Sequence, residues 1–251
     1  MKEKAKRVHA KAPIRFDFAG GPTDVEPFRS RESGFVVNGA LGKSADVYIA
    51  SRPDKSIIIY SRDLDIKETF DSIDDIDIQG PLRLIKASVK HISPSGGVEI
   101  QTKTDLPPGS GLGASAALTI ALIGALRMIN GETQPEPEEL ARDSLYIENV
   151  LLNNISGGQD EYASILGGFH SFNFEQDSVQ VNELDIKKET ITELEERSVL
   201  CYSGESHISG DVLNQIMTNY VNDDPTTAEA LRKMKKVTHQ IEESLVSGEL
   251  D

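Results

Sequence analysis

The sequence is poor in cysteine, in positive charge and in long apolar runs. Its single cysteine, Cys201, permits no disulfide within the 251 residues, so we expect a reducing compartment, the cytoplasm. Lys and Arg number 26 against 41 Asp and Glu, a formal net charge of -15. This balance argues against a nucleic-acid partner, because such proteins present a basic surface.

Long hydrophobic segments are also missing. The longest small and apolar run, Ala116–Leu126, covers eleven residues, whereas a helix needs about 20 to span a bilayer. The lysines near the N-terminus are not followed by an apolar stretch, so we expect neither a signal peptide nor a membrane partner. Hydrophobic residues make up 38% and charged residues 27% of the chain, which is typical of a globular protein.

Strand patterns dominate the first part of the chain. Alternation or β-branched clustering predicts strands in IRFDFAG, ADVYIASR, SIIIYSRD and GGVEIQTKTDLPPG, and again in GGFHSFNFEQDSVQVNEL. The acidic segment 64–80 is expected to be solvated surface.

Helical patterns follow. We predict helices over Ala114–Ile129, 137–149 and 155–166, and two more within 210–245. Strands that precede helices, without regular strand–helix alternation, predict an α+β fold.

One loop rich in proline, glycine and serine leads directly into an apolar helix: LPPGSGLGASAALTIALIGALRMI. Gly109, Gly111 and Gly113 permit backbone conformations that other residues disfavour and let phosphate oxygens approach the N–H groups. A helix that begins near Ala114 adds unpaired amides and about half a positive charge. The spacing fits neither a Walker A loop nor G-x-G-x-x-G. On the residues alone, a phosphate site and a plain turn with a helix cap are both open.

The same stretch resembles the second signature of the GHMP kinases, the superfamily of galactokinase, homoserine kinase and mevalonate kinase. In that family the loop wraps the phosphates of ATP, and one serine, matched here by Ser115, binds magnesium. Ala114 replaces the first serine of the usual pair. The resemblance implies ATP contacts from Pro108, Gly109, Ser110, Gly111, Leu112, Gly113, Ala114 and Ser115.

The segment APIRFDFAGGPTD resembles the first signature of that family. Arg15 and Asp24 match, whereas Gly21 and Pro22 replace the acidic residue and histidine of galactokinases. This difference argues against galactose as the substrate. The glycine-rich version of the motif is closer to that of heptose-phosphate kinases and fucokinase-like enzymes. Taken alone, a strand that ends in a Gly-Gly-Pro turn explains the segment more simply.

The segment IENVLLNNISGGQDEYASILGG resembles the part of the family that carries a metal-binding glutamate and then a catalytic aspartate. Glu148 and Asp160 match in that order. Glu161 is the alternative metal partner, but as the neighbour of Asp160 it would point elsewhere on a helix. The glycines at 157 and 158 also fit an ordinary helix boundary.

The resemblance implies a two-domain fold with the active site in the cleft between the domains. It assigns residues 1–190 to an N-terminal ATP-binding domain and 191–251 to the start of a C-terminal domain. The third family signature, a glycine-rich loop, does not occur before Asp251, so we expect a truncated chain. For His207, a position that approaches the substrate and an ordinary surface position both stay open.

The implied reaction transfers a phosphoryl group from ATP to the hydroxyl of a sugar or sugar phosphate, such as a heptose 7-phosphate. Asp160 would orient the hydroxyl and accept its proton, and Arg15 would stabilise developing charge. Ser115 and Glu148 would hold Mg²⁺. The residues implied on the substrate side are Gly20, Gly21, Thr23, Asp24, Gly157 and Gly158.

Two other functions stay open. A kinase for galactose, fucose or a mevalonate-like alcohol would use the same loop and base. A non-catalytic sugar or ATP sensor could share the fold, although the retained Arg15, Ser115, Glu148 and Asp160 count against it. A homodimer is left open as well.

Overall fold

A computed structural model describes residues 5–107, 109–133, 135–202, 204 and 209–250. Seven strands occur in the order β1 (Arg7–Ala19), β2 (Gly34–Ser51), β3 (Ile57–Ser61), β4 (Ile66–Phe70), β5 (Val98–Thr104), β6 (Phe169–Phe174) and β7 (Val179–Glu183). The helices are α1 (Phe28–Glu32), α2 (Arg83–Ile92), α3 (Ala114–Ile129), α4 (Pro137–Tyr146), α5 (Gln159–Leu166), α6 (Lys188–Arg197), α7 (Ser209–Val221) and α8 (Pro225–Ser247). Short 3₁₀ turns cover Gly21–Asp24 and Ile73–Asp75, and a π-helical turn covers Ile147–Leu151.

The strands form one mixed sheet, in which β2 is the central member. The strands of the sheet lie in the order β4-β3-β5-β2-β6-β7, and β1 pairs with the opposite edge of β2. β2 is long enough to pair with β6 through its first half and with β5 through its second half. Only β3 and β5 run parallel, and every other pairing is antiparallel.

Helix α3 lies against β1 and β2 and forms the centre of the core. Leu122, Ile123 and Leu126 are completely buried, and the small residues of the helix allow its neighbours α2 and α5 to pack closely. A helix that is apolar on nearly every side is stable only when it is covered on nearly every side. The sheet and the flanking helices therefore fix where α3 begins, which is the end that carries the glycine loop.

The predicted α+β class is confirmed, and most predicted elements occur near their expected positions. The predicted strand at 45–52 is the end of the longer β2, and the predicted helix at 155–166 begins only at Gln159. The acidic segment 64–80 is largely at the surface, but it also supplies the edge strand β4. Helix α2 was not predicted, although Leu82, Ile85 and Val89 are buried at helical spacing.

The tail contains the two expected helices, α7 and α8. Asp224 caps α8 by accepting a hydrogen bond from the N–H of Thr227 (2.9 Å). Helix α8 packs back against β1 and β2, which brings it near the candidate site. The predicted domain boundary after residue 190 falls inside α6 and stays a prediction.

No helix in the described part of the chain is both long and apolar enough to cross a bilayer.

The packing of α3 predicts the effect of truncating its side chains. Leu122→Ala should lower the free energy of unfolding by about 2–5 kcal/mol, because it leaves a cavity in the core. Met128→Ala on the same helix is the control, since Met128 is 45% exposed. Urea unfolding followed by circular dichroism measures both variants. Equal losses for the two would contradict this description of the core.

Candidate active site

The glycine loop has the backbone geometry expected of an anion site. Gly109, Gly111 and Gly113 all have positive φ angles, of 73°, 76° and 72°, in a region that favours glycine. α3 begins at the next residue, and no side chain caps its N-terminus. The first N–H groups of a helix have no intrahelical partner, so this end can donate hydrogen bonds to a ligand.

The other predicted ATP contacts lie in or beside this loop. Leu112 packs partly against the core, and its carbonyl accepts a hydrogen bond from the backbone N–H of Arg15 (3.3 Å). The hydroxyl of Ser110 is buried without a hydrogen-bond partner in the described structure. Ala114 and Ser115 form the first turn of α3. Pro108 lies outside the described residues, as does His207.

Arg15 joins strand β1 to helix α5 and to the loop. Its Nε donates a hydrogen bond to Asp160 Oδ1 (2.8 Å), its Nη2 lies 2.6 Å from the same oxygen, and its Nη1 donates to the carbonyl of Gly111 (2.9 Å). Burial lowers the pKa of Arg15, but the negative charges of Asp160 and Asp17 outweigh it and the net shift is upward. The guanidinium therefore stays charged between the two elements.

The second carboxylate oxygen of Asp160 faces the loop. A Cβ added to Gly113 would lie 3.3 Å from Asp160 Oδ2. Among the described residues, no group donates a hydrogen bond to this oxygen, and the Asp160 side chain is 25% exposed. An acceptor hydroxyl bound at Oδ2 would thus lie beside the N-terminus of α3.

Ser115 and Glu148 form a direct pair. Ser115 Oγ donates a hydrogen bond to Glu148 Oε1 (2.7 Å), and Asn154 Nδ2 donates to Glu148 Oε2 (2.9 Å). Glu148 lies in the π-helical turn Ile147–Leu151, a rare conformation that is frequent at functional sites. The turn and Asn154 together hold the carboxylate against the first turn of α3.

The Ser115–Glu148 pair fits a magnesium ion in its chemistry. Mg²⁺ prefers oxygen ligands and is usually bound by one or two protein groups together with substrate phosphates. The pair offers one hydroxyl and one carboxylate next to the glycine loop. The described residues contain no cluster of three or more His, Cys, Asp or Glu side chains suited to a metal, so a cation here would need further ligands from the substrate.

Asp24 is buried at the centre of the predicted acceptor side. Its Oδ2 accepts a hydrogen bond from the N–H of Gln159 (3.0 Å). A Cβ on Gly157 would lie only 2.0 Å from the same oxygen, so this position requires glycine. Burial raises the pKa of Asp24 to about 7, although the Gln159 N–H opposes the shift. The nearby negative charges of Asp160 and Asp17 contribute in the same direction as burial.

The remaining residues predicted on the acceptor side shape the backbone around Asp24. Gly20 has a φ of 104° and contacts the carbonyl of Phe35, where a side chain would not fit. A Cβ on Gly21 would lie 2.9 Å from Asp17 Oδ2, and one on Gly158 would lie 2.8 Å from the ring of Phe174.

Thr23 is completely buried, and its hydroxyl bonds to the protein itself. It donates to the carbonyl of Gly20 (2.7 Å) and accepts from the N–H of Phe35 (3.0 Å). It therefore fixes the 3₁₀ turn that carries Asp24.

Of two further acidic residues at the site, Asp17 was not assigned from the sequence and Glu161 was considered only as the alternative metal partner. Asp17 is mostly buried, with Oδ1 unpaired in the described structure, and burial raises its pKa against the opposing charge of Arg15. The strand pattern could have indicated Asp17, because side chains two residues apart on a strand, such as Arg15 and Asp17, lie on the same face of the sheet. Glu161 is fully buried beside Ser144, and burial, with the charge of Asp160 next, raises its pKa well above the usual range.

Residues 81–168 match the family model described as GHMP kinases N terminal domain. The D-glycero-alpha-D-manno-heptose 7-phosphate kinase of Campylobacter jejuni is 30% identical over 217 residues, which are 82% of this chain and 62% of the relative. The bifunctional fucokinase/GDP-fucose pyrophosphorylase of Arabidopsis thaliana is 26% identical over 264 residues, 98% of this chain and 25% of the relative. The chain thus spans less than two thirds of either curated relative.

Solved structures share the fold. A D-glycero-D-manno-heptose 1-phosphate kinase from Bacteroides thetaiotaomicron superposes with a TM-score of 0.81 at 28% identity, over 96% of this chain and 73% of that one. The mevalonate kinase of Methanococcus jannaschii superposes with a TM-score of 0.67 at 15% identity, over 96% and 73% of the two chains. At that identity, the second likeness concerns the fold alone.

The buried carboxyl of Asp24 predicts a pH-dependent loss of stability. Its pKa is about 7 in the folded state and about 3.9 in an unfolded chain. Well below pH 4 the group is neutral in both states. Between pH 4 and 7 the unfolded chain ionises while the folded one stays protonated, so ionisation favours unfolding by on the order of 4 kcal/mol.

Asp24→Asn should remove this contribution, so its free energy of unfolding should fall less between pH 4 and 7 than that of the wild type. Urea unfolding at several pH values measures the difference. Asp177→Asn, at an exposed turn, is the control and should follow the wild type. Parallel curves for Asp24→Asn and the wild type would show that Asp24 ionises normally in the fold.

Proposed function

Because this chain carries a GHMP kinase N-terminal domain, we propose that the protein transfers the γ-phosphoryl group of ATP to a hydroxyl of a sugar or sugar phosphate. A heptose phosphate is the proposed acceptor, in keeping with the heptose kinases among the relatives and neighbours. The main support for the proposal is that Asp160 lies beside the glycine loop, with its Oδ2 facing Gly113 at the start of α3.

The glycine loop is proposed to bind the phosphates of ATP. Its three positive-φ glycines and the first turn of α3 supply N–H donors and the positive end of a helix dipole. Gly111 adds free space, since a Cβ there would have no neighbour within 4 Å. The loop can therefore enclose an anion without steric conflict.

Ser115 and Glu148 are proposed to hold Mg²⁺. The ion, when bound, would neutralise charge on the phosphate oxygens. In the described structure Asn154 fixes one oxygen of Glu148 and Ser115 contacts the other. Ser115 lies in the first turn of α3, directly after the loop, so the pair offers a hydroxyl and a carboxylate oxygen together at that end of the helix.

Asp160 is proposed to bind the acceptor hydroxyl at Oδ2 and to take its proton there. Oδ1 is already held by Arg15, which leaves a defined direction for the second oxygen. Arg15 also contacts the loop through the Gly111 carbonyl, so its charge lies between base and phosphate. That position suits a group that stabilises negative charge as the phosphoryl group moves.

The acceptor side is proposed to be formed by the 3₁₀ turn that carries Asp24 and by the backbone at Gly157, which packs against it. Relatives include enzymes named for heptose phosphates and for fucose, and the replacement of two polar residues by Gly21 and Pro22 separates this chain from galactokinases. A homodimer and a cytoplasmic location stay predictions.

The loop assignment predicts a selective loss of nucleotide binding in Gly111→Val. Gly80→Val is a matched control, because both glycines have a φ of +76° and open space around Cβ. Both variants should lose similar stability through backbone strain. Only Gly111→Val should weaken binding of ATP, by about tenfold or more, because a side chain there separates phosphate from amide. Calorimetric titration with ATP measures this, and equal affinities in the two variants would remove the phosphate assignment.

The base assignment predicts that Asp160→Asn lowers turnover by roughly 10²–10⁴-fold, the usual contribution of a general base. Affinity for ATP should change little, because the proposed phosphate donors are backbone N–H groups of the loop and of α3, which this substitution leaves in place. A coupled assay of ADP release with heptose 7-phosphate measures turnover, and Asp177→Asn is the control. Turnover near the wild-type rate in a folded Asp160→Asn protein would overturn the assignment.

A further inference from the structure

A cavity of about 590 Å³ opens between the end of β1 and helix α8. Its volume lies in the range of roughly 300–1,000 Å³ that is typical of small-molecule sites. The segment 17–22, which includes Asp17 and Gly21, lines one side, and α8 lines the other with residues that include Lys233, Met234 and Val237.

The cavity adjoins the candidate active site through its strand side. The carbonyl of Gly21, in the lining, accepts a hydrogen bond from Gln159 Nε2 (3.2 Å). Gln159 directly precedes Asp160, the proposed base. A molecule in the cavity would therefore lie next to the segment that carries Asp160.

The two sides of the cavity differ in chemistry. The strand side is lined by Asp17, one of whose carboxylate oxygens, Oδ1, is closed off from solvent and has no hydrogen-bond partner in the described structure. The helix side is lined by Lys233, an exposed residue, together with the half-exposed apolar side chains of Met234 and Val237. A carboxylate oxygen suits the hydroxyls of a sugar, an apolar wall suits its C–H groups, and an ammonium suits an anion.

Lys233 differs from the cations beside it on α8. Arg232 pairs with Glu32 through two contacts of 2.6 and 2.7 Å, and Lys235 donates to the carbonyl of Glu32 (2.8 Å). Lys233 and Lys236 are both exposed and have neither an ion pair nor a hydrogen bond within the part of the chain described here, and of these two only Lys233 lines the cavity. Of the residues that line the cavity, it alone carries a positive charge.

We propose that this cavity is the subsite for the phosphate-bearing end of the acceptor, and that Lys233 binds that phosphate. The inference rests on the proposed sugar kinase function and makes it specific for phosphorylated acceptors. A phosphate needs a cation here, because Asp17, Asp24 and Asp160 surround the acceptor side. Arg15 is not free for that task, since it holds Asp160 and Gly111.

The test compares one sugar with and without its phosphate. The probes are D-glycero-D-manno-heptose 7-phosphate and unphosphorylated D-glycero-D-manno-heptose, titrated calorimetrically into the protein with a non-hydrolysable ATP analogue. Lys233→Met removes the charge and keeps an apolar side chain of similar length. Lys236→Met is the matched control, an exposed lysine on the same helix that does not line the cavity. Thermal unfolding checks that both variants are folded.

Lys233→Met should weaken binding of the heptose phosphate by about 10- to 100-fold, as expected for a hydrogen bond between charged groups. Binding of the unphosphorylated heptose should not change, and Lys236→Met should match the wild type for both probes.

Three results would overturn the subsite. Unchanged binding of the heptose phosphate in Lys233→Met would remove it and leave the proposed function intact. Equal losses for both sugars would assign Lys233 a role unrelated to phosphate. A wild-type protein that binds the ATP analogue but neither sugar would overturn the proposed function together with the subsite.

Discussion

The guanidinium of Arg15 holds three distant parts of the chain together. It reaches from β1 to Asp160 on α5, 145 positions away, and to the carbonyl of Gly111 in the glycine loop. Arg15 is only 7% exposed, and removing one partner of a buried ion pair is strongly destabilising because it leaves an uncompensated charge. The strand, the loop and the helix are thus held in their relative positions before a ligand binds, which reduces the loss of conformational entropy on binding.

Burial disfavours the charged form of several acidic side chains near this arginine. Asp17, Asp24 and Asp160 all act on the one guanidinium, and burial raises the pKa of Asp17, of Asp24 and of the neighbouring Glu161. A neutral carboxyl can donate as well as accept a hydrogen bond. Burial therefore makes the site less repulsive to phosphates than the net charge of -15 would indicate.

Much of the fold and part of the site could be predicted from local sequence. Glycines that alternate before an apolar run indicate a loop and a buried helix, and both occur at Gly109 to Ile129. The family resemblance is confirmed by the match over residues 81–168. The buried positions of Asp17 and Glu161 could not be predicted, because they depend on how β1 and α5 pack in three dimensions. For the same reason the closeness of Gly157 to Asp24 is visible only in the fold.

The orientation of the Glu148 carboxylate depends on the π-helical turn at Ile147–Leu151. The N–H of Leu152 bonds to the carbonyl of Ile147 (3.0 Å), five residues back, where an α-helix would use four. Such a turn amounts to one extra residue, and one residue rotates a helix by about 100°. Deleting a residue between Glu148 and Leu152 would restore a regular helix and rotate the segment that carries Asn154 by about 100° relative to Glu148. The hydrogen bond from Asn154 that orients the carboxylate would then be lost, so the length of this turn matters to the site even where the glutamate itself is kept.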